Sequence, residues 1–278
     1  MDVSVNHLFS IEGKTALVTG GSRGIGEMIA AGFLKNGARV YISSRKGDVC
    51  DATAKRLKEQ FGGECISLPA DLSSLDGVAA LADAFAGHEN RLDILINNAG
   101  ASWGAPMEEF PEFGWDKVMD TNVKGIFFLV QKLLPLLRES ASAEAPARII
   151  NIGSIDGILT PPFQNFSYGP SKAAVHHLTR VQAAHLIKEH IIVNAIAPGP
   201  FPTWMLSTGV GFGGKTEGEG VDWDAVGKSN PSGRVGSPED VVGLSLFLCS
   251  RAGEYVVGQI IALDGGAVAS AGISGIEG

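Results

Sequence analysis

Thr15-Ala16-Leu17-Val18-Thr19-Gly20-Gly21-Ser22-Arg23-Gly24-Ile25-Gly26 decides the fold of this chain. Thr15 to Thr19 is an apolar run of strand length, and an amphipathic run from Glu27 to Lys35 reads as a helix. The order is therefore strand, glycine-rich turn, helix. Glycine lets a backbone turn tightly and approach a ligand closely. The helix start offers unpaired N–H groups and the positive end of a dipole to a phosphate. The spacing is Gly-x-x-x-Gly-x-Gly rather than the commoner Gly-x-Gly-x-x-Gly, and the glycines alone also fit an ordinary βα turn. Their place after the first strand favours a dinucleotide site.

The same alternation continues outward. Arg39 to Ser43 reads as the second strand, and Ser43-Ser44-Arg45-Lys46 follows it. A carboxylate at this place binds the ribose of NAD. Here it is missing, and Arg45 is available for a 2′-phosphate. Arg23 can reach the same phosphate from the glycine turn. The pair points to NADP(H); the plain alternative is two solvated arginines. A helix over about 48–61 and a strand over 65–68 lead to Asp71-Leu72, at a strand's carboxyl end. Asp71 can meet an adenine amino group or cap the next helix, which runs from Leu75 to Phe85. Leu92 to Ile96 is a buried strand ending in Asn97-Asn98-Ala99-Gly100. Two adjacent amides there need partners, and can either lock strands together or line a ribose.

A helix over about 113–137 carries the polar pair Thr121-Asn122 in an apolar face, and Pro135 should bend or end it. Arg148 to Ile152 is a fifth strand running into Gly153-Ser154. Then comes Ser167-Tyr168-Gly169-Pro170-Ser171-Lys172, where a phenol and an ammonium lie one helical turn apart. A cation beside a tyrosine favours its phenolate and suits it to exchange a proton with an alcohol oxygen. Taken alone, a Tyr-x-x-x-Lys is more often a helix-start aromatic and a solvated charge. The helix runs on to about Glu189, Ile191 to Ile196 is a sixth strand, and Ala197-Pro198-Gly199 closes it.

Periodicity fails between about 200 and 236. Phe201, Trp204 and Met205 precede a glycine-rich stretch, which suits a lid over an apolar substrate or a disordered insertion. Ser237-Pro238-Glu239-Asp240 reads as a helix start, and Gln259 to Leu263 as the last strand.

The totals fit one α/β domain spanning 1–278, with no second domain or repeat. The net charge is −8, with scattered basic residues, which argues against nucleic acid as a partner. Cys50, Cys65 and Cys249 show neither metal spacing nor a disulfide framework, and the six histidines form no zinc pattern, so no metal is expected. No signal peptide and no membrane span are evident, and a soluble protein of a reducing compartment, the cytoplasm, is expected.

Together these motifs resemble the short-chain dehydrogenase/reductase family over about 13–266. The resemblance rests on Thr19-Gly20-x-x-x-Gly24-x-Gly26, Asp71-Leu72, Asn97-Asn98-Ala99-Gly100, Asn122, Ser154, Tyr168-x-x-x-Lys172 and Pro198-Gly199. It implies a single-domain Rossmann fold, a doubly wound seven-stranded parallel sheet with helices on both faces, and a homotetramer. Tyr168 would be the acid/base, Lys172 would lower its pKa and bind the nicotinamide ribose, and Ser154 would hydrogen-bond the substrate oxygen. Asn122 would hold a proton-relay water. The dinucleotide would touch Gly20, Ser22, Arg23, Gly24, Ile25, Gly26, Arg45, Asp71, Leu72, Asn98, Ala99, Gly100, Pro198, Gly199 and Thr203. The 14-residue step from Ser154 to Tyr168 is one longer than in many relatives and alters the substrate loop.

Within the family the chain is most similar to the 3-oxoacyl-(acyl carrier protein) reductases, and especially to their rhamnolipid-pathway type. Ala101-Ser102-Trp103-Gly104, Leu133-Leu134-Pro135-Leu136-Leu137-Arg138 and Ser140-Ala141-Ser142-Ala143-Glu144 carry that likeness. The expectation is NADPH-dependent reduction of a small-molecule ketone, a 3-oxoacyl thioester, to a secondary alcohol. A dehydrogenase of another secondary alcohol (sugar acid, steroid or aromatic) and a non-catalytic NADP-binding sensor are the alternatives.

Overall fold

A computed structural model describes residues 2–208 and 221–271. Seven strands form a single all-parallel sheet: β1 Thr15–Thr19, β2 Arg39–Ser43, β3 Cys65–Ser67, β4 Ile94–Asn97, β5 Ala147–Ile152, β6 Ile191–Pro198 and β7 Ile260–Leu263. Their spatial order is β3-β2-β1-β4-β5-β6-β7. Parallel neighbours need crossovers, and helices supply them. The helices are α1 Val5–Leu8, α2 Gly24–Lys35, α3 Gly47–Phe61, α4 Leu75–Ala86, α5 Glu112–Met119, α6 Gly125–Ser140, α7 Tyr168–Leu186, α8 Trp204–Thr208, α9 Trp223–Lys228, α10 Pro238–Cys249 and α11 Ala267–Ser270.

The strands read as unbroken apolar runs because each face has its own core. Side chains alternate along a strand, so neighbours go to opposite sides. Ala16 and Val18 pack with Val40, Ile42, Ile94 and Ile96 against Ile29 and Phe33 of α2, Leu57 of α3 and Val241 of α10. Leu17 between them packs with Leu95, Ile149 and Val193 against Leu81 of α4, Leu133 of α6 and Ala183 of α7. The strand order reverses direction between β1 and β4. In open α/β sheets the crevice at such a reversal, at the strands' carboxyl ends, receives ligands.

Three local expectations change. The helix expected over 113–137 is α5 and α6 joined by a π-helical turn, Asp120–Lys124, which contains Asn122. Pro135 lies inside α6, which continues to Ser140 rather than ending at the proline. The segment over 200–236 is not without structure, since α8 and α9 form within it. An N-cap made by Asp222 explains α9, its side chain accepting the Ala225 N–H at 2.9 Å. The middle of the expected lid, 209–220, lies outside the described residues. Among those described, no helix is long and apolar enough to cross a membrane, and no cluster of metal-ligating side chains occurs.

Candidate active site

Gly20 and Gly24 take left-handed φ of 64° and 56°, which L side chains rarely adopt. A Cβ on Gly26 would sit 2.4 Å from the Gly20 carbonyl oxygen, so α2 starts pressed against the turn. The result is a cradle without side chains at a helix N-terminus. The Asn98 amide holds the cradle from below, donating to the carbonyls of Thr19 at 3.0 Å and Gly20 at 3.1 Å. Thr19 Oγ1 accepts the N–H groups of Asn98 and Ala99, each at 3.0 Å. Asn97 Nδ2 donates to Asn151 Oδ1 at 2.8 Å, and Asn151 Nδ2 donates on to Thr179 Oγ1 at 3.0 Å. Both amides therefore lock strands together; of the two readings left open by sequence, this one describes their side chains.

Other elements converge on the same crevice. A Cβ on Gly24 would lie 3.2 Å from Thr203 Cγ2, so the segment after β6 crosses the cradle. The Arg23 guanidinium carbon lies 4.2 Å from the centre of the Trp204 ring. Pro198 ends β6, and the Gly199 N–H donates to Leu263 O at 2.9 Å. Ser22 is buried, with its carbonyl accepting from Thr53 Oγ1 at 3.1 Å, and Ile25 is half-buried. Arg45 is exposed past the end of β2, and makes no ion pair among the described residues. Asp71 Oδ1 accepts from the N–H and hydroxyl of Ser73, at 3.0 and 2.8 Å. It shapes the turn after β3, while Ser74 rather than Asp71 caps α4. The Leu72 carbonyl lies 2.5 Å from where a Gly125 Cβ would stand. Gly100 is open to both Asn122 and Lys172, at 3.4 Å from Asn122 Oδ1 and 3.8 Å from Lys172 Nζ if it bore a Cβ. The cradle, the two arginines and the absence of an acid after β2 fit a dinucleotide carrying a 2′-phosphate.

Beside the cradle, β5 ends and α7 begins. Ser154 caps a one-turn 3-10 helix, Ile155–Gly157, its Oγ accepting the Asp156 N–H at 3.1 Å. Tyr168 opens α7, where Pro170 in the first turn has no N–H to waste. The Ser154 side chain lies close enough to the Tyr168 hydroxyl to favour its phenolate. Lys172 Nζ donates to Ile152 O at 2.8 Å and lies 5.5 Å from the Tyr168 ring centre. Asn122 is fully buried. Its Oδ1 accepts Ala101 N–H at 2.7 Å, and its Nδ2 donates to Ala101 O at 3.0 Å and Ser171 Oγ at 2.9 Å. The amide is filled by protein groups, and the π turn that presents it is a rare feature found frequently at functional sites. Ser154, the Tyr168 and Lys172 pair, and Asn122, from three separate stretches of sequence, thus share one corner of the crevice.

Burial pushes the Tyr168 phenol above its ordinary value; Asp156 adds to this and Ser154 opposes it. Burial pushes the Lys172 ammonium down to about 8, against the pull of Asp156. Burial therefore sets the net direction of the Tyr168 shift, upward where spacing alone suggests a lowering. Burial also raises the Asp156 carboxyl, against the Asn165 side chain and the charge of Lys172. Behind them His176 is pushed to about 4 by burial, then by Lys172 and Arg180, and stays neutral.

Sequence reasoning passed over Asp156, Ser171 and the Asn151–Thr179–Gln182 group. For Asp156 the sequence shows a carboxylate two residues beyond the serine at a strand's end, which by itself does not separate it from a solvated loop residue.

The family model described as Enoyl-(Acyl carrier protein) reductase matches residues 20–268. The rhamnolipids biosynthesis 3-oxoacyl-[acyl-carrier-protein] reductase of Pseudomonas aeruginosa is 50% identical over 258 residues, covering 93% of this chain and 97% of that protein. Gluconate 5-dehydrogenase of Gluconobacter oxydans is 35% identical over 263 residues, covering 95% and 98%. The solved RhlG/NADP active-site complex of Pseudomonas aeruginosa superposes with a TM-score of 0.86 at 50% identity, covering 94% of this chain and 98% of that one.

Proposed function

The chain belongs to the short-chain dehydrogenase/reductase family, and on that premise we propose that it reduces the ketone of a 3-oxoacyl thioester to a secondary alcohol with NADPH. The observation that carries this reading is the meeting of Ser154, Tyr168 and Lys172 beside the side-chain-free cradle at the start of α2. The relative at 50% identity, named for a 3-oxoacyl substrate, supports the thioester. Aromatic side chains in the flanking loops and at the start of α5, with Phe110 and Phe166 at 5.8 Å and Trp103 and Phe113 at 4.8 Å, suit an acyl chain.

In this reading Gly20, Ser22, Gly24, Ile25 and Gly26 hold the pyrophosphate, with Arg23 and Arg45 on the 2′-phosphate. Asp71 and Leu72 face the adenine, and Asn98 to Gly100 the riboses through their backbone. Pro198, Gly199 and Thr203 hold the nicotinamide end, and Lys172 its ribose. The bound cofactor supplies the hydride. Ser154 donates a hydrogen bond to the substrate oxygen, where charge develops. Tyr168 delivers a proton to that oxygen from its phenol, and the Lys172 ammonium stabilises the phenolate left behind. A burial-raised phenol pKa holds the proton on Tyr168 until the substrate oxygen takes it. Because the Asn122 amide is filled, a relay water would be held by its main-chain carbonyl.

Tyr168→Phe tests the assignment. Reduction of acetoacetyl-CoA should fall by about 10²–10⁴-fold, with NADPH binding largely kept; near-normal turnover overturns it. The similarity to a gluconate dehydrogenase favours a second reading, a sugar-acid oxidoreductase. Turnover of acetoacetyl-CoA against 5-keto-D-gluconate separates the two.

Two further points complete the reading. The groove of about 380 Å³ between α6 and α7, lined by Met119, Val123, Phe127, Phe128 and Leu178, suits self-association into the homotetramer implied by the family. The three cysteines are free and buried, which suits a reducing compartment, the cytoplasm.

A further inference from the structure

We propose that Asp156 is the charge-selecting residue of this site: its carboxylate disfavours ketones that carry a carboxylate beside the reacting carbonyl, and leaves neutral ketones as substrates. The inference rests on the reductase reading above and narrows its substrate class.

Asp156 is held where it can act. Its N–H is tied to Ser154 Oγ at 3.1 Å, and its carbonyl oxygen would lie 3.1 Å from a Cβ on Gly169, the residue after Tyr168. Next to it, a Cβ on Gly157 would come within 2.7 Å of the Lys172 carbonyl carbon. The turn is thus seated directly on the first two turns of α7. The Asp156 side chain is half-buried, has the Asn165 side chain favouring its charged form, and acts electrostatically on both Tyr168 and Lys172.

The charges around it decide the consequence. Ser154 and Asn165 are neutral, Tyr168 keeps its proton, and His176 is neutral. Lys172 is the cation of the group, and Asp156 is the carboxylate set against it. With Asp156 ionised the corner has no net positive charge to draw in an anion. Without it, the ammonium would stand alone and attract one. Like charges several ångströms apart in a partly buried site differ from a neutral pair by about tenfold or more in affinity. A substrate carboxylate one or two carbons from the carbonyl would fall within that range. A ketone whose acid group is masked as a thioester or ester would not.

The test uses a matched pair that differs in this charge alone, acetoacetate and methyl acetoacetate, with the full chain and NADPH at neutral pH. Wild type should favour the ester in kcat/KM. Asp156→Asn, which preserves shape, should raise kcat/KM for acetoacetate relative to that for the ester by about tenfold, mostly through KM. Asp156→Glu should keep the wild-type preference. Should the Asn variant fail to fold, Asp156→Ser removes the same charge. An ester-to-acid ratio that is the same in wild type and variant overturns the proposal. If wild type reduces neither compound nor acetoacetyl-CoA, the reductase reading fails by itself. Calorimetric titration of both compounds into protein with NADP⁺ then decides the matter without turnover. Tighter acetoacetate binding by Asp156→Asn alone supports charge selection; equal binding, or none by either protein, overturns it.

Discussion

Arg23 belongs to the cofactor cradle and Trp204 to the segment that crosses it, so their contact couples the two. Replacing Trp204 by Leu removes the stack while keeping an apolar side chain at the start of α8. The guanidinium carbon is 4.2 Å from the ring centre, well inside the range of a cation–π interaction. Arg23 is exposed and Trp204 is 36% exposed, so the lower end of such interactions applies, about 0.5–1 kcal/mol. The stack holds the guanidinium over the turn before any phosphate arrives. Its loss should therefore weaken NADPH binding by about two- to fivefold, given 1.4 kcal/mol per factor of ten. Both residues make other interactions as well, so a single substitution cannot isolate the stack. A double-mutant cycle can: NADPH dissociation constants for wild type, Trp204→Leu, Arg23→Ala and the double variant, from titration of NADPH fluorescence. The expected coupling is about 0.5–1 kcal/mol, above the few tenths at which distant sites add. If Trp204→Leu weakens NADPH equally with and without Arg23, the two do not cooperate and the coupling idea is wrong.

Two more outcomes follow from the cradle. Arg45→Asp should weaken NADPH by tenfold or more (roughly 1.4 kcal/mol) and leave NADH little changed, read as separate dissociation constants; equal losses would mean Arg45 does not meet the 2′-phosphate. Gly26→Ala should destabilise the fold by about 1–3 kcal/mol, because its Cβ would be driven against the Gly20 carbonyl and the Asn98 amide, each 2.4 Å away. Calorimetry should show a melting temperature lower by roughly 2–4 °C per kcal/mol, and an unchanged value would mean that α2 is free to shift.

Much of the site was legible because its determinants are local. The Gly20 to Gly26 turn announces itself by position after an apolar strand, and Tyr168 and Lys172 by helical spacing. Asp156 was not legible. A carboxylate in a loop is usually solvated, and nothing local shows that Gly157 lets its turn lie flat on α7. The net direction of the Tyr168 shift was not legible for a related reason, since spacing reveals the neighbouring charge and not the loss of water around both groups. Pro135 and the π turn at Asn122 likewise obey the packing of α6 against two neighbours rather than their own propensities.

Sequence alone determined the alternation of strand and helix, the cradle at the first crossover and the residue types at the strand ends. These depend on hydrophobic period and backbone freedom, which are properties of a few adjacent residues. Tertiary structure decided which amides became strand locks, which carboxylate came to face Lys172, and which way each pKa moved. Those outcomes depend on distance and on exclusion of water, and both arise only when segments remote in the chain, such as 19, 98, 122, 156 and 172, are folded against one another.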